Sequence, residues 1–427
     1  MATTRVEPAV CFGSSQRSWV TDVINYVSDH GGLRVIGTVL TQDDAVRLEF
    51  DVLVIDDVSS VLSPRLVDRL QAVGRLVIGV FDADRGTAAK ERVLAANVDG
   101  VVASDATAAE FVRVVADAVR QRSIDDEFAD LMEDMDGDAP ATQPDPGPQV
   151  QSVARTGGRI IAVVGSDGVT EVTLGLAQSL VRSAQRVVLV DMDTLEPSIA
   201  QRLGMALTPN IFTATEHLRL RSSINDAFVM HPEGFAVIAG IPNPREWENV
   251  SEIEAADLVE ELTTGFDIVL VKINRHLEDL SSFAGAAGRF DVGRRVAAAA
   301  DAIVAVCSAS PLGSTRLLAM AGDLRHLGSA PAHVVVNQAP SSQFVQGEIG
   351  EELTRTMAPA SLTFLSADGK VRKASWQGDV VRSGSFMRRL GKLADTLASA
   401  GSRTSPSADA TPNDAQQAHP PVETGMP

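Results

Sequence analysis

A glycine-containing loop at residues 165–173 has the composition of a phosphate-binding site. It follows an apolar run at residues 159–164 and precedes a segment in which apolar residues recur at helical spacing. Such a loop brings the backbone amides of a helix N-terminus close to an anion. A second apolar run then meets Asp191 and Asp193. The stretch is predicted to form a strand, loop, helix and strand of the parallel-sheet type.

This loop departs from the phosphate-binding pattern G-x-x-x-x-G-K-[ST]. Thr170 replaces the second glycine, Glu171 replaces the lysine that reaches the phosphates, and Val172 replaces the hydroxyl that holds magnesium. A carboxylate about 4 Å from a phosphate costs about 4 kcal/mol at an effective dielectric constant near 20, where a lysine would contribute that amount. We therefore predict a degenerate site that retains its shape. Its candidate residues are Gly165, Ser166, Asp167, Gly168, Val169, Thr170, Glu171, Val172 and Thr173.

Composition narrows the classes of function. The chain has 427 residues, 44% of them hydrophobic, and a net charge of −19, which argues against nucleic-acid binding through a general basic surface. It lacks an apolar run of the roughly 18 residues that span a bilayer and a recognisable signal segment, so a cytoplasmic location is expected. Cys11 and Cys307 lie inside apolar runs and are expected to be buried thiols, and the histidines lack the spacing of zinc ligands.

The elements that must position these residues indicate an α/β protein with two doubly wound parallel-sheet domains. Five apolar segments alternate with helical patterns in the first domain, residues 1–122, and the same alternation recurs at residues 157–400. Between them, residues 123–156 are acidic and then proline-rich, which predicts a linker. Apolar residues keep helical spacing in its acidic part, so we expect a solvated helix end followed by a flexible tether, with binding to a basic groove as the alternative. Residues 401–427 lack apolar periodicity and are predicted to be a disordered tail.

The second domain resembles the MinD/ParA group of deviant P-loop ATPases. The resemblance is carried by the loop, by VVLVDMD, FDIVLV and AADAIVAVCSASPLGSTR, and by the HVVVNQ strand. The first domain resembles a response-regulator receiver, and the two in this order look like the CpaE/TadZ branch. Proteins of that branch position Tad-type pili or related secretion machines, and actinobacterial relatives are often labelled septum-site-determining proteins.

The resemblance implies roles for individual residues. Asp191 and Asp193 match the acids that arrange magnesium and the attacking water, and Asn337 matches the asparagine that contacts adenine; capping of a strand end or a turn is the alternative for all three. Ser166 stands where the family has a second lysine, and Lys272 follows a strand that should end in a magnesium-supporting aspartate. With these charges inverted, Lys272 and Glu171 could pair in the emptied site, and we predict lost hydrolysis.

In the receiver-like domain, Asp56 stands where the phosphoacceptor aspartate would be. The acidic pair, the hydroxyl residue and the lysine that normally accompany it are absent, since the first, fourth and fifth strands end in Gly13-Ser14, Asp82 and Ser104. A lone carboxylate cannot readily accept a phosphoryl group without the metal and the cation. We therefore predict a pseudo-receiver used for docking, in which Asp56 and Asp57 cap the following turn.

A last helical stretch, residues 386–397, combines an apolar face with Arg388, Arg389 and Lys392. It could bind a membrane surface, as terminal helices of MinD relatives do, or it could be the final helix packing on the sheet. We expect the second.

Together these features predict a pseudo-ATPase scaffold for a pilus, secretion or septal assembly. The alternatives are a weak ATPase using Asp191 and Asp193, and a phosphorelay receiver acting through Asp56. No cofactor is expected, although ATP and magnesium would be the ligands if the degenerate site still binds. The expected partners are proteins of that assembly and a second copy of the chain, without nucleic acid. The expected location is the cytoplasm, with recruitment to the inner face of the membrane at a pole or septum.

Overall fold

Two parallel sheets organise the chain. A computed structural model describes residues 7–135, 157–280 and 288–399, except residues 14, 16, 86 and 329. Within these residues, one sheet has five strands and the other has eight. The rest of the predicted linker, residues 136–156, and the predicted tail, residues 401–427, lie outside the described residues, as does Ser14.

The first unit, which carries the smaller sheet, alternates strands and helices throughout. Its strands are β1 (Ala9–Gly13), β2 (Arg34–Val39), β3 (Val52–Asp56), β4 (Leu76–Phe81) and β5 (Gly100–Ala103). Its helices are α1 (Trp19–His30), α2 (Gln42–Arg47), α3 (Pro64–Ala72), α4 (Thr87–Ala95) and α5 (Ala108–Met135). The parallel strand order β2-β1-β3-β4-β5 is the flavodoxin-like doubly wound order.

The second unit carries the larger sheet. Its strands are β6 (Arg159–Gly165), β7 (Val187–Asp191), β8 (Val229–Met230), β9 (Ala236–Ile238), β10 (Ile268–Lys272), β11 (Ala302–Ser308), β12 (Ala332–Ala339) and β13 (Ser361–Ser366). Its helices are α6 (Val169–Arg182), α7 (Ile199–Leu203), α8 (Ile211–Arg219), α9 (Glu252–Gly265), α10 (Asp291–Ala299), α11 (Pro311–Leu327), α12 (Gln343–Met357), α13 (Gly369–Trp376) and α14 (Ser385–Ser399).

The strand order of this sheet is β13-β12-β11-β6-β10-β7-β9-β8. All neighbouring strands are parallel except β8 and β9. Residues of β7, β10 and β11 are buried throughout, as expected for apolar strands covered by helices on both faces. The predicted fold class, two doubly wound parallel sheets, is confirmed.

The register of the three central strands creates the site. Lys272, the last residue of β10, pairs with Asp191 of β7 on one side and with Val163 of β6 on the other. The loop that begins at Gly165 follows β6 at the same edge of the sheet. Because the carboxyl ends of parallel strands meet at one edge, residues far apart in sequence converge there.

The structure bears on two predictions about helices: the conformation of the acidic part of the linker and the packing of the last helix. α5 continues to Met135, so the acidic first part of the predicted linker is helical, as its helical spacing predicts. The apolar face of α14, including Phe386, Leu390 and Leu393, is buried in the core beside α6. A Cβ at Gly175 of α6 would lie 2.4 Å from Leu390 Cδ1, so glycine allows this close packing. The packing role of the last helix is confirmed. The described helices include none with the length and apolarity of a membrane span.

Candidate functional site: a degenerate nucleotide-binding loop

The loop after β6 makes a tight turn that requires glycine at two positions. Gly165 has φ 152° and Gly168 has φ 90°, and both values favour glycine. A Cβ at Gly165 would lie 2.1 Å from the carbonyl oxygen of Val306 in β11. The amide of Ser166 donates to that same oxygen at 3.1 Å. The loop is thus anchored to the neighbouring strand by backbone contacts that leave no space for a side chain.

Asn337 anchors the other side of the loop. Its Nδ2 donates to the carbonyl oxygen of Asp167 at 3.3 Å, and Ser308 Oγ donates to Asp167 Oδ2 at 2.8 Å. The side chain of Asn337 is buried at the end of β12. Its amide therefore contacts the loop itself, whereas the predicted contact with adenine remains a prediction.

Substitution of Gly168 should measure how far the loop shape depends on these contacts. Gly168→Ala places a Cβ 2.0 Å from Asn337 Nδ2 and keeps a residue at φ 90°. We expect the free energy of unfolding to fall by about 1–3 kcal/mol, measured by urea denaturation. The control is Gly322→Ala within α11, where nothing lies within 4 Å of the added Cβ. That change should be neutral or stabilising by up to about 1 kcal/mol. Equal effects at the two positions would contradict a constrained loop.

The three substituted loop positions have structural partners. Thr170 Oγ1 lies 2.9 Å from Ser198 Oγ, and Val172 is fully buried in the core. Glu171 accepts two hydrogen bonds from Arg202 of α7, Nε to Oε1 at 2.5 Å and Nη2 to Oε2 at 3.0 Å. The predicted Glu171–Lys272 pair is therefore wrong. The guanidinium of Arg202 binds this carboxylate in a bidentate manner, while Lys272 Nζ donates to three other acceptors.

The remaining loop residues are held by the start of α6. Val169 packs against the core from a half-buried position, and Thr173 Oγ1 donates to the carbonyl oxygen of Val169 at 2.7 Å. The Thr173 hydrogen bond lies within the first turn of α6, and Val169 also lines the pocket in front of the loop.

Lys272 lies between the two acids at the carboxyl end of the sheet. Its Nζ donates to Asp191 Oδ1 at 3.3 Å, to Asp193 Oδ2 at 2.7 Å and to the carbonyl oxygen of Glu196 at 2.9 Å. An ammonium group has three hydrogens, so these three acceptors can satisfy it completely. The side chain is 1% exposed. Burial alone would lower the pKa of Lys272, but Asp191 and Asp193 together raise it above the ordinary value.

The two acids are also held from behind by backbone amides. Asp191 Oδ2 accepts from the amides of Ser198 and Ile199 at 2.7 and 2.9 Å, where α7 begins. Asp193 Oδ1 accepts from the amides of Leu195 and Glu196 at 3.1 and 2.9 Å. Strand-end capping and the lysine together account for both carboxylates.

These residues do not fit a magnesium–nucleotide complex. Magnesium in such sites is held by carboxylates, substrate phosphates and waters in an octahedral arrangement. Here an ammonium group already neutralises the carboxylates, and a divalent cation placed at the same oxygens would be repelled by it. The loop supplies a carboxylate, Glu171, at the phosphate lysine's position. No hydrolytic step can be derived from this arrangement.

A pocket of about 260 Å³ remains in front of the loop. Besides the loop and Lys272, its walls include Asn274, Arg275 and His276, which directly follow β10. Sequence reasoning missed these three residues. Their position immediately after a buried strand at the loop's edge of the sheet was the available signal, because ligands of open α/β sheets bind at this edge.

Asp56 in the first unit is covered by a polar cluster centred on Arg17. Arg17 Nη1 lies 2.6 Å from Asp56 Oδ1 and 2.8 Å from Asp57 Oδ1, while Nη2 lies 2.9 Å from Asp82 Oδ2. Ser15 Oγ donates to Asp56 Oδ2 at 2.7 Å, as does Trp19 Nε1 at 3.2 Å. Both aspartate side chains are fully buried beneath this cluster.

The pKa values of Asp56 and Asp57 are shifted in opposite directions. Burial by itself would raise the pKa of Asp56, but hydrogen bonds from its neighbours hold that pKa below the ordinary value. Burial and the adjacent Asp56 raise the pKa of Asp57. The carboxylate of Asp56 thus already has a full set of partners. The amide of Val58 also donates to it at 3.3 Å, as the capping interpretation predicts, but Arg17 was missed by sequence reasoning.

The fold and the site define a class of protein. The chain is a mixed α/β protein with doubly wound parallel sheets, and a P-loop-like turn follows β6 without its phosphate lysine. No protein-family model matches the sequence, and no curated protein matches it.

Several solved structures are similar to the chain at low sequence identity, among them MinD and ParA family proteins. The septum site-determining protein MinD from Pyrococcus horikoshii, complexed with Mg-ADP, is 17% identical, with a TM-score of 0.44 over 58% of this chain and 100% of that chain. The Aquifex aeolicus MinC:MinD cell division complex is 15% identical, with a TM-score of 0.46 and coverage of 60% and 99%. A ParA family ATPase from Chlorobium tepidum is 16% identical, with a TM-score of 0.45 and coverage of 55% and 98%.

Proposed function

We propose that this chain is a MinD/ParA-like scaffold that does not hydrolyse ATP. The single observation that supports this most is the buried Lys272, whose ammonium occupies the space between Asp191 and Asp193. A hydrolytic site of this family would need those acids for a metal and a water molecule. In this chain they stabilise an internal cation, and the retained loop serves as a structural element.

The finer part of the proposal follows the sequence resemblance to the CpaE/TadZ branch. The scaffold would help to place a Tad-type pilus, a secretion machine or a septal complex through protein partners and as a homodimer. It would act from the cytoplasm at the inner face of the membrane, at a pole or septum. The solved neighbours include a MinC:MinD cell division complex, in which the MinD protein acts with a partner protein. The enclosed Asp56 supports a docking role for the first unit over phosphoryl transfer.

Nucleotide binding tests the proposal directly. Isothermal titration of the full chain with ATP, with magnesium and with EDTA, should show no magnesium-dependent binding, and phosphate release should equal that of buffer. The reason is that the cation position is already filled by Lys272. Lys373→Ala, which removes an exposed lysine of α13, is the control and should give the same titration as the wild-type chain. Micromolar ATP binding that requires magnesium and disappears in Asp191→Asn would instead support the weak ATPase.

A further inference from the structure

The two units contact each other through a face formed by α2 and α3 of the first unit and by α8 and α9 of the second. Most of the polar contacts there are ionic. Arg65 and Arg69 of α3 both pair with Asp257 of α9, and Arg47 of α2 pairs with Glu252. The Arg65 Nε to Asp257 Oδ2 distance is 3.0 Å.

The charges on the two sides are complementary. The first unit presents three arginines, and the second presents Glu252 and Asp257 on α9 together with Asp291 of α10, which lies 3.5 Å from Arg47. One pair runs in the opposite direction, between Asp68 and Arg221. Each of these pairs joins opposite charges, and the arrangement fixes the relative orientation of the two surfaces.

Asp257 of the second unit and Asp43 of the first both bind a partner across the contact. Asp257 is only 8% exposed, although an unpaired carboxylate is more stable in water. One of its oxygens binds Arg65 and the other binds Arg69. Ser251, the N-cap of α9, donates through Oγ to Asp43 Oδ1 at 2.6 Å. The N-terminus of α9 is therefore bound to α2 by a hydrogen bond as well as by an ion pair.

The contact is polar and incompletely closed. A cleft of about 1140 Å³ lies between the units, with Leu40 and Thr41 on one wall and Trp247 and Glu248 on the other. Interfaces of this polar type between units of one chain usually permit relative motion. Partly exposed ion pairs are weakened by salt, because the Debye length falls from about 10 Å at 0.1 M to about 3 Å at 1 M.

We propose that the acidic surface of α9 and α10 is a docking site for the arginines of α2 and α3 of the same chain, and that this contact opens when the charges are screened or reversed. The occupant is the chain's own first unit, as the pairing of Asp257 with two arginines indicates. This inference does not depend on the proposed function, since none of these residues belongs to the loop or to the Lys272 cluster.

Cross-linking across the cleft tests it in the full chain. The natural cysteines are both buried, so Leu40→Cys with Glu248→Cys provides a reactive pair on opposite walls for a short bis-maleimide. We expect efficient cross-linking within one chain at low salt and a loss of it at 1 M NaCl. Adding Arg65→Glu and Arg69→Glu should slow the reaction about tenfold, given the loss of two pairs and the new repulsion. Asp257→Arg should then restore most of the rate.

The control reverses two exposed arginines, Arg34→Glu and Arg113→Glu, which form no ion pair across this contact in the described part of the chain. Its cross-linking should match the parent pair. Circular dichroism checks that each variant is folded. If the variant with Arg65→Glu and Arg69→Glu is not folded, the salt titration of the chain with only the two cysteines still tests the proposal. Equal rates at all salt concentrations, or a product of two chains, would overturn the proposal.

Discussion

Lys272→Ala is expected to lower the free energy of unfolding by about 3–5 kcal/mol, because it leaves two buried carboxylates without their cation. Asp191 and Asp193 are both buried and both contact Nζ in the wild-type chain. The measurement is urea denaturation at neutral pH. Lys373→Ala, which removes an exposed lysine, is the control and should change stability by no more than about 0.5 kcal/mol.

The same variant should acquire a response to divalent metal. Removing the ammonium group leaves the two carboxylates and the Glu196 carbonyl around an emptied position, and oxygen ligands of this kind suit magnesium or manganese. Millimolar magnesium should therefore recover part of the stability of Lys272→Ala and none in the wild-type chain. An unaltered unfolding curve for Lys272→Ala would contradict the role assigned to the lysine.

The pH dependence of this cluster has a definite sign. The pKa of Lys272 lies above 10.5 in the folded chain, so folding favours the charged amine. A raised pKa of this kind gives stability that is complete below the unfolded value and is lost as the pH rises through the folded value. The contribution of Lys272 is therefore constant at neutral pH and disappears only in strong alkali.

Arg17→Ala is expected to lower the free energy of unfolding by about 3 kcal/mol at neutral pH, because Asp56 and Asp57 would lose the charge that compensates their burial. The arginine side chain is 23% exposed, which places the effect at the lower end of the range for buried pairs. Arg120→Ala, from an exposed pair with Asp117, is the control and should cost less than about 1 kcal/mol.

Acid should reduce the difference between Arg17→Ala and the wild type. The folded pKa of Asp56 is depressed below 3.8, so its ionised form contributes stability above that value that is lost as the pH falls through the folded pKa. In the variant the carboxyls can protonate instead of remaining charged in the interior. Denaturation at pH 7 and near pH 3 measures this, because the contribution of Asp56 is lost only below 3.8. A destabilisation that does not depend on pH would indicate a packing defect.

Much of the fold could be predicted from sequence because the buried strands are short apolar runs. The apolar run IVAVC, for example, lies within β11, which extends from Ala302 to Ser308. The convergence of Asp191, Asp193 and Lys272 also follows from strand ends in a parallel sheet. The helical spacing after residue 123 predicts a solvated helix end at the start of the linker, but spacing alone does not show that this helix ends at Met135.

The errors concern partners supplied by tertiary packing. Glu171 was expected to pair with Lys272, but its partner is Arg202 on the short helix α7. The position of α7 depends on the path of the chain between residues 194 and 198, which periodicity does not predict. Arg17 lies in the connection between β1 and α1, outside any recognisable motif, and only the folded chain brings it to Asp56.

A cation that belongs to the polypeptide cannot be diluted, chelated or exchanged. The ammonium of Lys272 is present at the strand ends whenever the chain is folded, whatever the supply of free metal or the balance of nucleotides in the cell. Under the proposed function, the loop beside it therefore does not respond to the supply of metal or nucleotide. A scaffold of the proposed kind takes its timing from the amount of protein that is made, or from the molecules that it contacts.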